Sequence, residues 1–313
     1  LPFRISEKYV MERARKISLD AFERFVGKGY EMKVEGEENL DVLDNFGVPV
    51  VMYFNHIAKD DPFLVSYLVH KRSPHRMENV IIPVSEEHVQ YENYRSYATV
   101  VSTARKLWGV QMPEVVQSYR LRDDDGVDKE LKGKALRLAR EFFVLLDDKV
   151  AASEGYTQPL IILSPEGHRS GNGALQPAES GIGTVAEIMY KKLKRKKIAQ
   201  AYFLPVGIIF DEYKDDRLYF NPLNKPVLNL IVGEAQDLES VIKGSNGIKE
   251  GIANRKEISH YLMWKLSGLL PGDMKGFYGP GVIENTFNDR YELRSGKGRV
   301  YVFDKVENTA LAL

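Results

Sequence analysis

Four apolar runs limit what this chain can fold into. They cover residues 49–54, 79–85, 158–167 and 200–210, and each is bounded by turn residues. The runs are short and rich in Val, Ile and Leu, the pattern of strands buried on both faces. Segments of helical period lie between them, at 62–70, 128–149 and 183–197; in the second, Leu131, Ala135, Leu136, Ala139, Phe142 and Leu146 share one face. Strands alternating with helices predict an α/β fold, with a mostly parallel central sheet and helices on both faces. The spacing also predicts an amphipathic helix over 4–28, with Val10, Ala14, Ile17, Ala21 and Phe25 as its apolar face. A helical aromatic stretch is expected over about 87–107, a strand over 114–123, and a helix over 256–269. A hairpin is expected over 290–303, turning at Ser-Gly-Lys-Gly. The resulting division is an N-terminal amphipathic helix (1–29), a main α/β domain (30–285), and a C-terminal hairpin and tail (286–313).

Composition narrows the function classes. Forty-four basic residues balance 44 acidic ones, so net charge gives no footprint for nucleic acid. The chain has no cysteine, which excludes disulfides, thiolate metal sites and an acyl-cysteine intermediate, and fits a reducing compartment. No His-Glu-x-x-His motif or carboxylate ladder has metal-ligand spacing, so no metal is expected. No apolar run reaches about 18 residues, so no membrane-spanning helix is expected.

The run 50–54 stops at Asn55-His56, and Asp61-Pro62 follows five residues later. Residues at the carboxyl ends of strands are where α/β sheets gather chemistry. Imidazole suits removal of a proton from an alcohol near neutral pH, and a carboxylate fixes its tautomer. Five residues on one helix would set His56 and Asp61 about 140° apart, so a turn between them is required for pairing. Asp followed by Pro is also a helix-start signature. Both roles for Asp61, partner of the base and helix cap, stand at this point.

A second constellation, Leu163-Ser-Pro-Glu-Gly-His-Arg-Ser-Gly, also follows a buried strand. Glu166-Gly167 makes a tight turn whose amides can approach an anion, and Arg169 offers a forked cation. An ordinary glycine-rich loop fits equally. Ser170 is not at the nucleophile position of a Gly-x-Ser-x-Gly elbow. Arg120 and Arg122 share one face of the strand expected at 114–123. Pro205 interrupts the apolar run 200–210, which marks an edge, a strand start or a bulge near a site.

In this order, Asn55-His56-x4-Asp61-Pro62, an Arg-bearing strand, Pro165-Glu166-Gly167-His168-Arg169-Ser170 and Leu204-Pro205-Val206 resemble the four blocks of the glycerolipid acyltransferases, the lysophosphatidate and glycerol-3-phosphate acyltransferases. The likeness covers roughly residues 30–280, and the chain departs from the family in having His168 where threonine is usual. The resemblance implies an αβα fold of that family and transfer of a fatty acyl group from acyl-CoA or acyl-carrier protein to an alcohol, with no other cofactor. The implied acceptor is lysophosphatidate, with glycerol-3-phosphate or another lysophospholipid or lipid alcohol as the alternatives. It implies His56 as base and Asp61 as its partner. Asn55, Glu166, Gly167, Arg169, Ser170 and Arg120 or Arg122 are implied at the acceptor, and Pro205 on the donor side. Lipid substrates further imply peripheral membrane association on the cytoplasmic side, through the helix 4–28 and the basic run 191–197. A lipid-headgroup-binding module without catalysis is the alternative on the same scaffold.

Overall fold

The computed structural model describes residues 7–87, 102–117, 129–151, 157–170, 172–195, 197–211, 221–245, 248–249, 252–279, 291–296, 299–304 and 309–311. Helix α1 (Glu7–Gly29) leads into strand β1 (Glu31–Glu35), a 3-10 segment (Glu37–Asp44), β2 (Val50–Phe54) and α2 (Asp61–Arg72). Short strands β3 (Val80–Ile81), β4 (Val84–Ser85) and β5 (Glu114–Val115) precede α3 (Lys129–Ala151), β6 (Leu160–Leu163), α4 (Gly181–Lys194) and β7 (Tyr202–Phe210). Then come β8 (Val227–Val232), β9 (Gln236–Asp237), α5 (Leu238–Gly244), the hairpin β10 (Ile248–Lys249) and β11 (Ile252–Ala253), and α6 (Arg255–Ser267). Strands β12 (Tyr291–Gly296) and β13 (Arg299–Asp304) form the expected hairpin, and β14 (Thr309–Leu311) adds a third strand to it.

The fold is α/β with a mostly parallel central sheet flanked by helices. Its strand order is β1-β8-β7-β2-β6-β3, with β9 pairing β7. Strands β7, β2, β6 and β3 run parallel; β8 and β9 pair antiparallel to β7, and β1 follows β8. The two-residue period of a strand explains the layering. Val50, Met52 and Phe54 of β2 and Leu160 and Ile162 of β6 meet Leu64, Val65 and Leu68 of α2 on one face. Val51 and Tyr53 of β2 and Ile161 and Leu163 of β6 meet Phe142 of α3, Val185 of α4 and Leu262 of α6 on the other. Each such side chain contributes about 1.5–3 kcal/mol relative to exposure. Helices α4 and α6 touch backbone to backbone at Gly183: a Cβ there would lie 2.0 Å from the Arg255 carbonyl oxygen.

The structure refines or corrects three expectations. The run 79–85 is not one strand: Pro83 divides β3, in the main sheet, from β4, which pairs with β5 in a separate sheet. Helix α1 packs through Phe22, Leu19 and Val26, while the stripe read from the sequence as its apolar face turns outward, with Ile17 60% and Phe25 53% exposed. Trp108 fixes that choice, donating from Nε1 to Ser18 Oγ at 2.9 Å and stacking at 4.8 Å from Phe22. Pro205 occupies an interior strand, not an edge or a strand start. It falls where the β7 edge passes from its β9 pairing (Tyr202, Phe203) to its β8 pairing (Val206 onward), so its missing N–H meets a break in the ladder.

Candidate active site

Strand register creates the site. Tyr53 of β2 pairs with Leu163 of β6, so both strands end side by side. From β2 the chain enters α2 on one face of the sheet, and from β6 it enters α4 on the other. The two loops diverge and leave a crevice at the carboxyl ends of the strands, as expected at a topological switch point.

The loop 55–60 is folded around Asp61. Its Oδ2 accepts from the backbone N–H of Ile57 at 2.6 Å and of Ala58 at 2.7 Å, and lies 3.0 Å from His56 Nδ1. Asp61 is fully buried and belongs to the first turn of α2, with Pro62 next to it. Its carboxylate therefore organises the loop before the helix and does not cap the helix. Because Asp61 accepts, His56 Nδ1 carries the proton and Nε2 is left as the base. The His56 side chain is 17% exposed, enough to reach a substrate.

Asn55 braces the strand end. Strand β7 outruns β2, and the Asn55 amide continues the pairing: Nδ2 donates to the Ile208 carbonyl at 2.8 Å, and Ile208 N–H donates to Oδ1 at 2.7 Å. Both functions of the amide are thus engaged by backbone, and Asn55 is outside the cleft wall.

The loop after β6 is stitched to His56. Glu166 is fully buried; its Oε1 accepts from His56 N–H and its Oε2 from Gln176 N–H, each at 2.8 Å. Burial pushes the Glu166 carboxyl up to about 8, against the pull of the Gln176 and His56 amides, and nearby Asp61 adds to the rise. Ser170 N–H donates to the His56 carbonyl at 2.8 Å, and its hydroxyl donates to the Ala174 carbonyl at 2.7 Å. Gly167 has φ +70, the left-handed region that favours glycine, and a Cβ would crowd Glu179 Cγ at 3.0 Å. Glu166 and Ser170 hold the loop, while Gly167 and Arg169 reach the cleft.

That cleft encloses about 680 Å³, its open mouth included. Ile82, Pro83, Val84, Val115, Ile162 and Leu163 give it apolar walls, and His56, Lys59, Ser85, Gln117, Ser164 and Arg169 give it polar ones. The wall supplied by β4 and β5, and the presence of Lys59 and Ser85, were not foreseen. Lys59 lies inside the His-x4-Asp spacing, so its position was in view but carried no motif. Arg120 and Arg122 lie outside the described residues. Pro205 is buried under Gly233 and is not on the cleft wall.

A third segment clamps the loop from behind. Leu175 N–H donates to the Met274 carbonyl and Phe277 N–H to the Leu175 carbonyl, both at 3.0 Å. Ala178 N–H donates to the Tyr278 hydroxyl at 2.9 Å. That hydroxyl sits 2.7 Å from Nδ1 of half-buried His260. Of the basic run 191–197, Lys192 pairs with Asp147 at 2.8 Å, Lys191 pairs with Glu187, and Lys194 lies over the Tyr190 ring. Among the described residues no cluster of His, Cys, Asp or Glu can hold a metal ion, and no helix is long and apolar enough to cross a membrane. No protein-family model and no curated protein sequence matches the chain.

Proposed function

We propose that this protein is an O-acyltransferase of glycerolipid-acyltransferase type, moving a fatty acyl group from an acyl thioester to the hydroxyl of a glycerol-phosphate acceptor, lysophosphatidate first among them. The observation that carries this reading is the His56–Asp61 pair at the mouth of a cleft with apolar walls and a cationic rim. His56 Nε2 takes the proton of the acceptor hydroxyl. The oxygen attacks the thioester carbonyl carbon, and the tetrahedral intermediate collapses with breakage of the carbon–sulfur bond. The imidazolium returns its proton to the departing thiolate. Asp61 holds the tautomer and offsets the imidazolium charge, and general-base assistance of this kind contributes about 10²- to 10⁴-fold.

The outward stripe of α1 supports a peripheral membrane contact. Met11, Ile17, Ala21 and Phe25 are exposed, with Arg13, Lys16, Arg24 and Lys28 exposed beside them, a pairing of apolar and cationic surface suited to anionic lipid. Lipid acceptors and products would then exchange with a bilayer without crossing water.

The test is incubation of the purified chain with radiolabelled acyl-CoA, or with acyl-carrier-protein donor, against a panel of lysophosphatidate, glycerol-3-phosphate and other lysophospholipids. Labelled ester product is expected. Thioester consumed equally without acceptor would make the protein a hydrolase. Liposome binding with no turnover on any acceptor would make it a headgroup-binding module.

A further inference from the structure

We propose that the Ser164 hydroxyl is an oxyanion donor of the His56 cleft, giving a hydrogen bond to the charge that develops on the acyl carbonyl oxygen. This deepens the acyl-transfer reading above and rests on it for the reaction. Attack on a thioester places negative charge on that oxygen, and a general base does nothing to offset it. In the step, the acceptor oxygen bonds to the carbonyl carbon as His56 takes its proton, and the carbonyl π pair moves onto oxygen. Ser164 donates a hydrogen bond to that oxygen and keeps its own proton. Collapse returns the pair to the carbonyl and breaks the carbon–sulfur bond, and His56 protonates the thiolate.

Register places this hydroxyl beside the base. Tyr53 pairs with Leu163, so Phe54 and Ser164 are the next residues along two neighbouring parallel strands. Ser164 lies two residues beyond Ile162, and His56 two beyond Phe54, the spacing that keeps side chains on one face of a sheet. All four residues line the same cleft, and the Phe54 and His56 rings meet edge to face at 5.8 Å. One residue then ties the hydroxyl to the base. Glu166 donates its N–H to Ser164 Oγ at 3.3 Å and accepts the His56 N–H at 2.8 Å.

The hydroxyl keeps its proton available. Its oxygen is the acceptor in the Glu166 bond, and among the described residues no group accepts from it. Backbone amides, the commoner oxyanion donors, are engaged here. Those of His56, Ile57, Ala58, Glu166, Gly167 and Ser170 all donate to protein oxygens. Pro165, directly after Ser164, has no N–H to offer. Lys59 and Arg169 reach the wall but are engaged with other protein groups. The described wall carries no carboxylate to repel an oxyanion. Asp61 and Glu166 bond backbone amides behind it, Glu86 pairs with Lys134 at 3.7 Å, and Asp60 is buried off the wall.

The experiment compares the full chain with Ser164→Ala, Ser164→Thr and Ser85→Ala. It measures turnover of acyl-CoA with lysophosphatidate, and calorimetric binding of two probes. One probe is a long-chain alkyl trifluoromethyl ketone, whose hydrate is tetrahedral; the other is an alkyl-CoA thioether, which has no carbonyl. In Ser164→Ala, kcat should fall about 10²- to 10³-fold with KM little changed. Ketone binding should weaken with it while thioether binding holds, a split that a merely structural role would not give. Ser164→Thr keeps the hydroxyl and should recover most of the loss. Unchanged kcat in Ser164→Ala, equal weakening of both probes, or a kcat loss confined to Ser85→Ala overturns the proposal. An acyl-Ser164 adduct found by mass spectrometry after rapid quenching also overturns it, because the serine would then be a nucleophile. If no acceptor is acylated, the acyl-transfer reading fails by itself, and the ketone decides the role of Ser164. Binding lost in Ser164→Ala sustains it; equal binding, or none to the unmodified chain, overturns it.

Discussion

Glu166 holds His56 by the backbone: Oε1 accepts the His56 N–H at 2.8 Å, while Oε2 accepts the Gln176 N–H at the same distance. The base and the loop after β6 are therefore one unit. A carboxamide at position 166 has one accepting oxygen, and its NH2 would face one of those N–H groups. Glu166→Gln should keep the fold but lower stability by about 1–3 kcal/mol. It should slow turnover roughly 10- to 100-fold, since small misplacements of a catalytic group cost that much. Denaturant unfolding and steady-state rates check this; an unchanged rate would separate the Glu166 brace from catalysis.

The same carboxyl predicts a pH dependence of stability. Its folded value of about 8 lies above its ordinary 4.5. Between those values the folded chain keeps a proton that the unfolded chain releases. The Glu166 contribution is therefore fully present below about pH 4.5 and is lost as pH rises through about 8. Melting temperatures across that window should decline with pH, and more steeply than in Glu166→Gln. Parallel curves for the two proteins would show that the proton is not on Glu166.

His56 and Asp61 should separate catalysis from folding. Among the described residues the His56 side chain has one hydrogen-bonded neighbour, Asp61, so His56→Ala should cut turnover about 10²- to 10⁴-fold with little change in melting temperature. Asp61→Ala also leaves the Ile57 and Ala58 amides without their acceptor, and should cost at least about 2 kcal/mol of stability. Equal stability losses in the two variants would contradict the assigned division of labour.

The strands β2, β6 and β7 were legible as short Val, Ile and Leu runs, because strands buried on both faces leave no polar alternation to obscure them. His56 and Asp61 were legible because the bond between them closes over five residues. What stayed hidden depends on distant partners. The Asn55 amide reads Ile208, and no spacing within the motif foretells a contact made 153 residues away. Helix α1 carries two apolar stripes, and only the position of Trp108 and its contacts with Ser18 and Phe22 decide which one packs. Ser85 looked like part of one strand because the split at Pro83 appears only once β3 and β4 find different sheets.

Asn55 is predicted to matter for stability. Asn55→Ala leaves the Ile208 N–H and carbonyl buried without partners, at a cost of about 1–3 kcal/mol for each group that finds no water. Asn55→Asp keeps the acceptor for Ile208 N–H but sets a carboxylate against the Ile208 carbonyl, and should be no better tolerated. Chemical denaturation measures both. A loss under about 0.5 kcal/mol in Asn55→Ala would show that the β7 edge does not need this brace.

The clamp behind the site predicts an acid limb of the stability curve. The Tyr278 hydroxyl accepts from Ala178 N–H, so its own proton goes to His260 Nδ1. A protonated His260 would present a second proton to that hydroxyl and break the arrangement. Burial, and to a lesser degree repulsion by Lys256, lower His260 from 6.5 to about 4. A depressed folded value means that the unfolded chain takes up a proton first as pH falls. The stability contributed by neutral His260 is therefore present above about pH 6.5 and is lost as pH falls through about 4. His260→Gln keeps an acceptor for the tyrosine without the titration, and should flatten the acid limb between those values. Melting curves of both proteins from pH 4 to 7, with the His260 ring followed by NMR, test the assignment; a ring that titrates near 6.5 in the folded protein would sink it.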